Sequence, residues 1–286
     1  MFQYAFGKVL EWKYGIKVYY DLLRDEIETP LESYLDVFSI DLIVEMEPKV
    51  RKQYEPFSVR QFRDNGEYFK YAYYKLRRKY QTNKLITEPW PSMYLPVTDQ
   101  LDLDVNHYFL GFWQNHRYFI GYEDRIRKLY VAKDPVFLQS DMVQEIDRSD
   151  YDTISLHFRR GDYLTSGFIE PTSMEYYTQA VDMIASKVNN PFFYIFTDEP
   201  DWVNENFTID FPHKLVSGNT GNDAYKDILL MSRCRHHIIA NSTFSWWGAW
   251  LNANPDKIVT VPKKWYADDE RNKFTNEICP VSWIRI

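Results

Sequence analysis

Residues 157–163, HFRRGDY, place a histidine, two adjacent arginines and an aspartate in one short stretch. Arginine suits a phosphate because its planar guanidinium gives two parallel, charge-assisted hydrogen bonds. The run Thr153-Ile154-Ser155-Leu156 before it reads as a strand. Side chains alternate across a strand end, so only one of Arg159 and Arg160 need face a crevice. Taken alone, RRGD is more readily an internal salt bridge to Asp162 than an anion site. Two further clusters change that balance. NSTFS (241–245) offers the amide of Asn241 and the hydroxyls of Ser242, Thr243 and Ser245 where a helix begins. The free backbone N–H groups of a helix start favour an anion; plain N-capping is the competing reading and is compatible with a phosphate nearby. TDE (197–199) puts Asp198 and Glu199 where they cap a turn or receive ribose hydroxyls.

Other patterns carry less. Asp102-Leu103-Asp104 is the acidic pair by which some sugar transferases hold a divalent ion on a nucleotide diphosphate. It precedes a strand instead of following one, and such triplets recur by chance in an acidic protein, so no metal site is expected. His236-His237 reads as a strand pair, with no carboxylate or cysteine spacing to support a metal. Trp246-Trp247-x-x-Trp250 has the spacing of a buried helix face rather than a sugar platform.

The elements that must position these clusters become orderly after about residue 150. Strand 153–158 leads to a helix from Met174 to Val188, opened by a Thr172-x-x-Glu175 capping box. Further strands are expected at 191–199, 215–217, 236–240 and 258–262, with a helix over Ala224–Cys234. Strands alternating with helices indicate parallel βαβ units, whose ligands bind beyond the carboxyl ends of the strands. HFRRGD, TDE and NSTFS all sit at such ends. The first half is less regular: an amphipathic helix over residues 1–15, a strand-like Lys17–Tyr20, a charged and aromatic middle over 48–100, a buried strand HYFLGFW (107–113) and a helix through Tyr118–Val131.

Composition bounds the class. The 286 residues are 45% hydrophobic and suffice for two medium domains. A net charge of −7 argues against a general nucleic-acid binder. The basic cluster Lys75, Arg77, Arg78, Lys79 reads as a solvated helix face, with docking to anionic lipid as the weaker option. Only Cys234 and Cys279 are present, so a reducing compartment fits and no disulfide framework is indicated. The expected location is cytoplasmic, with peripheral contact at the inner membrane face.

With these motifs assembled, the sequence resembles the α-1,2-fucosyltransferases of bacteria and animals. HFRRGDY resembles their H-x-R-R-x-D-Y hallmark, shared in looser form with α-1,6- and protein O-fucosyltransferases. FTDEPDW (196–202) and NSTFSWWGAWL (241–251) are similar to the second and third family segments, GFWQNHRYF (111–119) to a further one, and MFQYAFGK (1–8) to the opening helix. The resemblance implies an α/β fold of two Rossmann-like domains facing a cleft: residues 1–148 on the acceptor side and 149–286 binding the donor. It implies GDP-β-L-fucose as donor, a galactose-terminated oligosaccharide as acceptor, and metal-independent, cofactor-free inverting transfer to the 2-hydroxyl of galactose. Arg159 would hold the β-phosphate, with His157 and Asp162 shaping the loop. Arg160, Thr197 and Asp198, together with Asn241, Ser242, Thr243, Phe244, Ser245 and Trp246, would help bind the nucleotide. Asp227 is a looser match to a helix aspartate that contacts the nucleoside. Catalysis is expected from Arg159 and Asp162, with no residue named as base. Family members carry a first strand and a Gly-rich G-x-G-N-Q turn before M-F-Q-Y-A, so the N-terminal domain is expected to lack its first strand here. The alternatives are an inactive GDP-sugar- or glycan-binding relative and a fucosyltransferase of another linkage.

Overall fold

The computed structural model describes residues 1–20, 23–24, 27–30, 34–40, 84–89, 93–273 and 275–286. The basic cluster at 75–79 and most of the charged middle at 48–100 lie outside them. Among the described residues no helix is long and apolar enough to cross a membrane. The chain forms two compact units, one comprising Met1–Ser33 and Asp41–Gln114 and the other Tyr34–Ile40 and Asn115–Ile286. The division thus falls between Gln114 and Asn115, ahead of the expected boundary at 148.

In the first unit, helix α1 (Phe2–Tyr14) ends at Gly15, whose left-handed φ of 67° lets its N–H bond back to the Glu11 carbonyl. Residues 17–20 are irregular rather than a strand. They fold back on α1 because the Val18 amide donates to the Glu11 carboxylate at 3.1 Å and the Tyr20 hydroxyl to the Tyr4 carbonyl at 3.0 Å. Two short strands, β1 (Leu23–Arg24) and β2 (Ile27–Pro30), pair antiparallel. Strands β3 (Lys84–Thr87) and β4 (His107–Leu110) pair in parallel. The run expected to continue as strand to Trp113 stops at Leu110. One Glu88 carboxylate oxygen takes the N–H groups of Phe112 at 2.7 Å and Trp113 at 2.8 Å, turning the chain and leaving Trp113 at φ 58°.

The second unit holds a six-stranded sheet in the order β10-β9-β8-β5-β6-β7. Its strands are β5 (Asp152–Phe158), β6 (Pro191–Thr197), β7 (His213–Val216), β8 (His236–Ile238), β9 (Val259–Val261) and β10 (Ile284–Arg285). Every neighbouring pair is parallel. From β5 the chain builds outward through β6 and β7, then returns to the other side of β5 for β8 and builds outward again. This is the doubly wound Rossmann order, with β5 and β8 flanking the switch point.

Helices α2 (Glu123–Leu129), α3 (Pro135–Leu138) and α4 (Asp141–Asp147) precede the sheet. The single helix expected from Tyr118 to Val131 is broken: a 3-10 turn at His116–Phe119 and Gly121 at φ 83° come before α2. Helix α5 (Tyr163–Ser166) follows β5, and α6 (Met174–Ala185) packs on the sheet. Its cap is Ser173, whose Oγ accepts from the Tyr176 amide at 3.3 Å, and not Thr172. Helix α7 (Pro200–Asn206) follows β6, α8 (Tyr225–Arg233) follows β7, α9 (Thr243–Leu251) follows β8, and α10 (Asp269–Asn272) precedes β10.

Alternation along β5 explains its composition. Ile154, Leu156 and Phe158 join Phe193, Ile195 and the α6 residues Tyr177, Ala180 and Ile184 in one apolar core. Thr153, Ser155 and His157 point to the other face and are equally buried. Buried hydroxyls need partners. The Thr153 Oγ1 accepts from the Arg235 amide at 3.0 Å, and the Ser155 Oγ lies 2.8 Å from His237 Nδ1. Asn252, just past α9, donates to the other ring nitrogen of His237 at 2.8 Å and to the Cys234 carbonyl at 2.7 Å. With Nε2 accepting, the imidazole donates through Nδ1 to Ser155. The pairing is therefore a structural tie between β5, β8 and α9, opposite in polarity to a serine activated by a base.

Candidate functional site

The loops leaving β5, β6 and β8 at their carboxyl ends carry the three polar clusters. Hydrogen bonds knit them together. The Tyr163 hydroxyl, at the start of α5, donates to the Asn241 carbonyl after β8 at 3.3 Å. The Arg160 amide donates to Asp198 Oδ1, after β6, at 3.1 Å.

The two arginines point to different partners. Arg159 Nη2 pairs with Asp162 Oδ1 at 2.8 Å and Nη1 with Asp198 Oδ2 at 3.2 Å. Its side chain keeps 33% of its surface exposed at the switch point. Arg160 is held on the α7 side: Nε donates to Glu199 at 3.0 Å and the guanidinium lies 3.5 Å from the centre of the Trp202 ring. Thr197 Oγ1 accepts from the Glu199 amide at 3.0 Å, fixing the turn that presents both carboxylates. The competing reading of RRGD as an internal salt bridge to Asp162 is thus realised, with Arg159 partly exposed beside the switch point.

His157 lies beneath this turn, buried, with its ring 5.5 Å from that of Phe244. Its Nδ1 has no hydrogen-bond partner among the described residues. Burial, reinforced by the Arg159 charge, lowers its pKa to about 3, so it is neutral at physiological pH. The Tyr177 hydroxyl donates to the His157 carbonyl at 3.1 Å.

The cluster after β8 divides by burial. Asn241 Nδ2 donates to the carbonyls of Glu170 at 2.9 Å and Trp265 at 3.0 Å, while its Oδ1 accepts from the Thr172 hydroxyl at 2.9 Å. Its side-chain amide is therefore spent on the scaffold. Ser242 caps α9, accepting from the Phe244 amide at 3.3 Å. Ser245 and Trp246 are fully interior; Trp246 Nε1 donates to the Ile278 carbonyl at 3.0 Å. Thr243 and Phe244 are the partly exposed members at the helix start. The tryptophan triad is core, as its spacing indicates.

Asp227 sits in the first turn of α8 and accepts from Asn219 Nδ2 at 2.6 Å. Burial raises its carboxyl pKa to about 6 despite that bond. Asp102 is engaged by Lys84 at 2.8 Å and by the Asp104 amide at 3.2 Å. Among the described residues no three His, Cys, Asp or Glu side chains gather as a metal site.

Sequence reasoning missed Trp202 and Asn219 as supports of the site, and gave Thr172 the helix cap instead of its bond to Asn241.

The parallel sheet, with its arginine pair at the switch point, agrees with what comparison finds: residues 24–286 match glycosyl transferase family 11. The chain belongs to that family. Within glycosyl transferase family 11 it is similar to an Escherichia coli α-1,2-colitosyltransferase, 34% identical over 188 residues and 62% of each chain. The E. coli O-antigen biosynthesis glycosyltransferase WbnK is 32% identical over 194 residues, 65% of this chain and 63% of that protein. A Bos taurus galactoside 2-α-L-fucosyltransferase is 32% identical over 109 residues, 34% of this chain and 28% of that protein. The chain thus spans less than two thirds of the length of the relatives it matches.

Proposed function

We propose that this family 11 protein is an α-1,2-fucosyltransferase. It moves L-fucose from GDP-β-L-fucose to the 2-hydroxyl of a terminal galactose in a glycan, by a single inverting displacement without a metal. The observation that carries the reading is Arg159: a partly exposed guanidinium at the carboxyl end of β5, beside the strand where the winding reverses. The family membership and the galactoside 2-α-L-fucosyltransferase among its relatives support the linkage.

The acceptor oxygen attacks the anomeric carbon opposite the leaving diphosphate, and negative charge grows on the departing phosphate. A fixed arginine aimed at that charge does the work of a metal; loss of one such donor costs about 2.7–4 kcal/mol of barrier. The partly exposed start of α9 adds N–H groups on the same edge. Asp162, paired with Arg159, serves as the arginine's counter-charge. Asp227 serves the nucleoside. The α-1,2-colitosyltransferase among the relatives supports a second donor sugar, colitose, which is fucose without its 3-hydroxyl.

The test is incubation of the protein with GDP-fucose or GDP-colitose, alone and with lactose, followed by linkage analysis. An α-1,2-fucosylated product in EDTA supports the reading. GDP binding without product points to a binding relative, and another linkage to a different fucosyltransferase.

A further inference from the structure

We infer that Asp198 is the residue that positions Arg159, and that Asp162 is the partner Arg159 exchanges for an incoming phosphate. The inference rests on the donor reading above and assigns distinct tasks to two carboxylates on one guanidinium. Asp198 uses both oxygens: Oδ1 takes the Arg160 amide at 3.1 Å and Oδ2 takes Arg159 Nη1 at 3.2 Å. One carboxylate therefore fixes the direction of the guanidinium relative to the backbone turn that carries it. Its side chain is only 23% exposed, so the pair is partly shielded from solvent screening. Gly161 makes this approach possible, because a Cβ there would lie 2.9 Å from Asp198 Oδ2.

Asp162 is placed differently. Its side chain is 65% exposed, it meets Arg159 Nη2 at 2.8 Å, and it makes no capping bond to α5 although it stands at the N-cap. Exposed ion pairs contribute little because water screens them and two side chains must be held still. A diphosphate arriving at Nη2 carries more charge than the carboxylate and repels it. Asp162 yields, while Asp198 keeps the other edge of the fork in place. Two carboxylates on Arg159 thus hold it straight in the absence of donor, and one of them is removable.

The experiment titrates GDP calorimetrically into wild type, Asp198→Ala, Gly161→Ala and Asp162→Asn, and follows hydrogen exchange at the Arg160 amide in the ligand-free proteins. Asp198→Ala is expected to lose about tenfold in GDP affinity and to exchange the Arg160 amide faster. Gly161→Ala, which displaces the same carboxylate, does likewise and stands in if Asp198→Ala does not fold. Asp162→Asn is expected to bind GDP about threefold more tightly, with exchange as in wild type. The inference is overturned by an Asp162→Asn protein that gains no affinity, or by Asp198→Ala and Gly161→Ala proteins with wild-type affinity and exchange. No GDP binding by wild type would refute the donor reading instead, and exchange at Arg160 then decides the positioning role alone.

Discussion

Arg160 rests on Trp202, its guanidinium carbon 3.5 Å from the ring centre, while its Nε donates to Glu199. Cation–π contact with an indole contributes more as it is desolvated. Trp202→Ala is expected to lower stability by about 1 kcal/mol, read from the urea midpoint, with Trp202→Phe recovering part of it. An unshifted midpoint would mean that Arg160 is held by Glu199 alone.

Asn241 ties two segments together: Glu170 and Thr172 in the stretch before α6, and Trp265. Asn241→Ala leaves two carbonyls and a hydroxyl without their partner, at about 1–3 kcal/mol for each buried group left unpaired. Asn241→Asp should be worse, since a carboxylate oxygen would then face carbonyl oxygens. Thermal denaturation gives the order wild type, alanine, aspartate; an aspartate variant as stable as wild type contradicts the assigned network.

Asp227 gives a pH signature. Its folded pKa is raised by burial from 3.8 to about 6, so ionisation is resisted in the folded state. Stability from this group is complete below the unfolded value and is lost as pH rises through the folded one. Asp227→Asn should therefore be more stable than wild type above pH 6, by a margin that vanishes below pH 3.8. The nucleoside role proposed for Asp227 further predicts that the same variant binds GDP less tightly. Equal stability at pH 8 would show that the carboxyl is not desolvated.

Chelation should leave transfer intact. Asp102 is taken up by Lys84 and by the Asp104 amide. Assays in excess EDTA, with and without added Mn²⁺, decide this. Activity that vanishes with EDTA and returns with Mn²⁺ would move the chemistry to a metal.

Much of this was legible in the sequence where the signal was local. β5 alternates apolar and polar residues, β6 is an apolar run, and both end in charged turns, from which the βαβ alternation follows. HYFLGFW misled because the strand is ended by Glu88, a carboxylate more than twenty residues away. The stretch just before α6 has threonine and serine side by side, and only the backbone decides that Ser173 caps while Thr172 bonds to Asn241. In the same way NSTFSW identifies a place but not a division of labour. The side chains of Asn241 and Trp246 face partners distant in sequence, Ser245 bonds back to the Ser242 carbonyl, and Thr243 and Phe244 stay partly exposed.

The central claim is that Arg159 holds the leaving diphosphate. The most direct measurement is the rate of fucose transfer from GDP-fucose to a galactose-terminated acceptor by wild type, Arg159→Ala and Arg159→Lys, with folding checked by circular dichroism. Alanine is expected to lower the rate about 10²–10³-fold and lysine to rescue it poorly, because an ammonium cannot form the two-pronged bond. Near-wild-type turnover in either variant would contradict it.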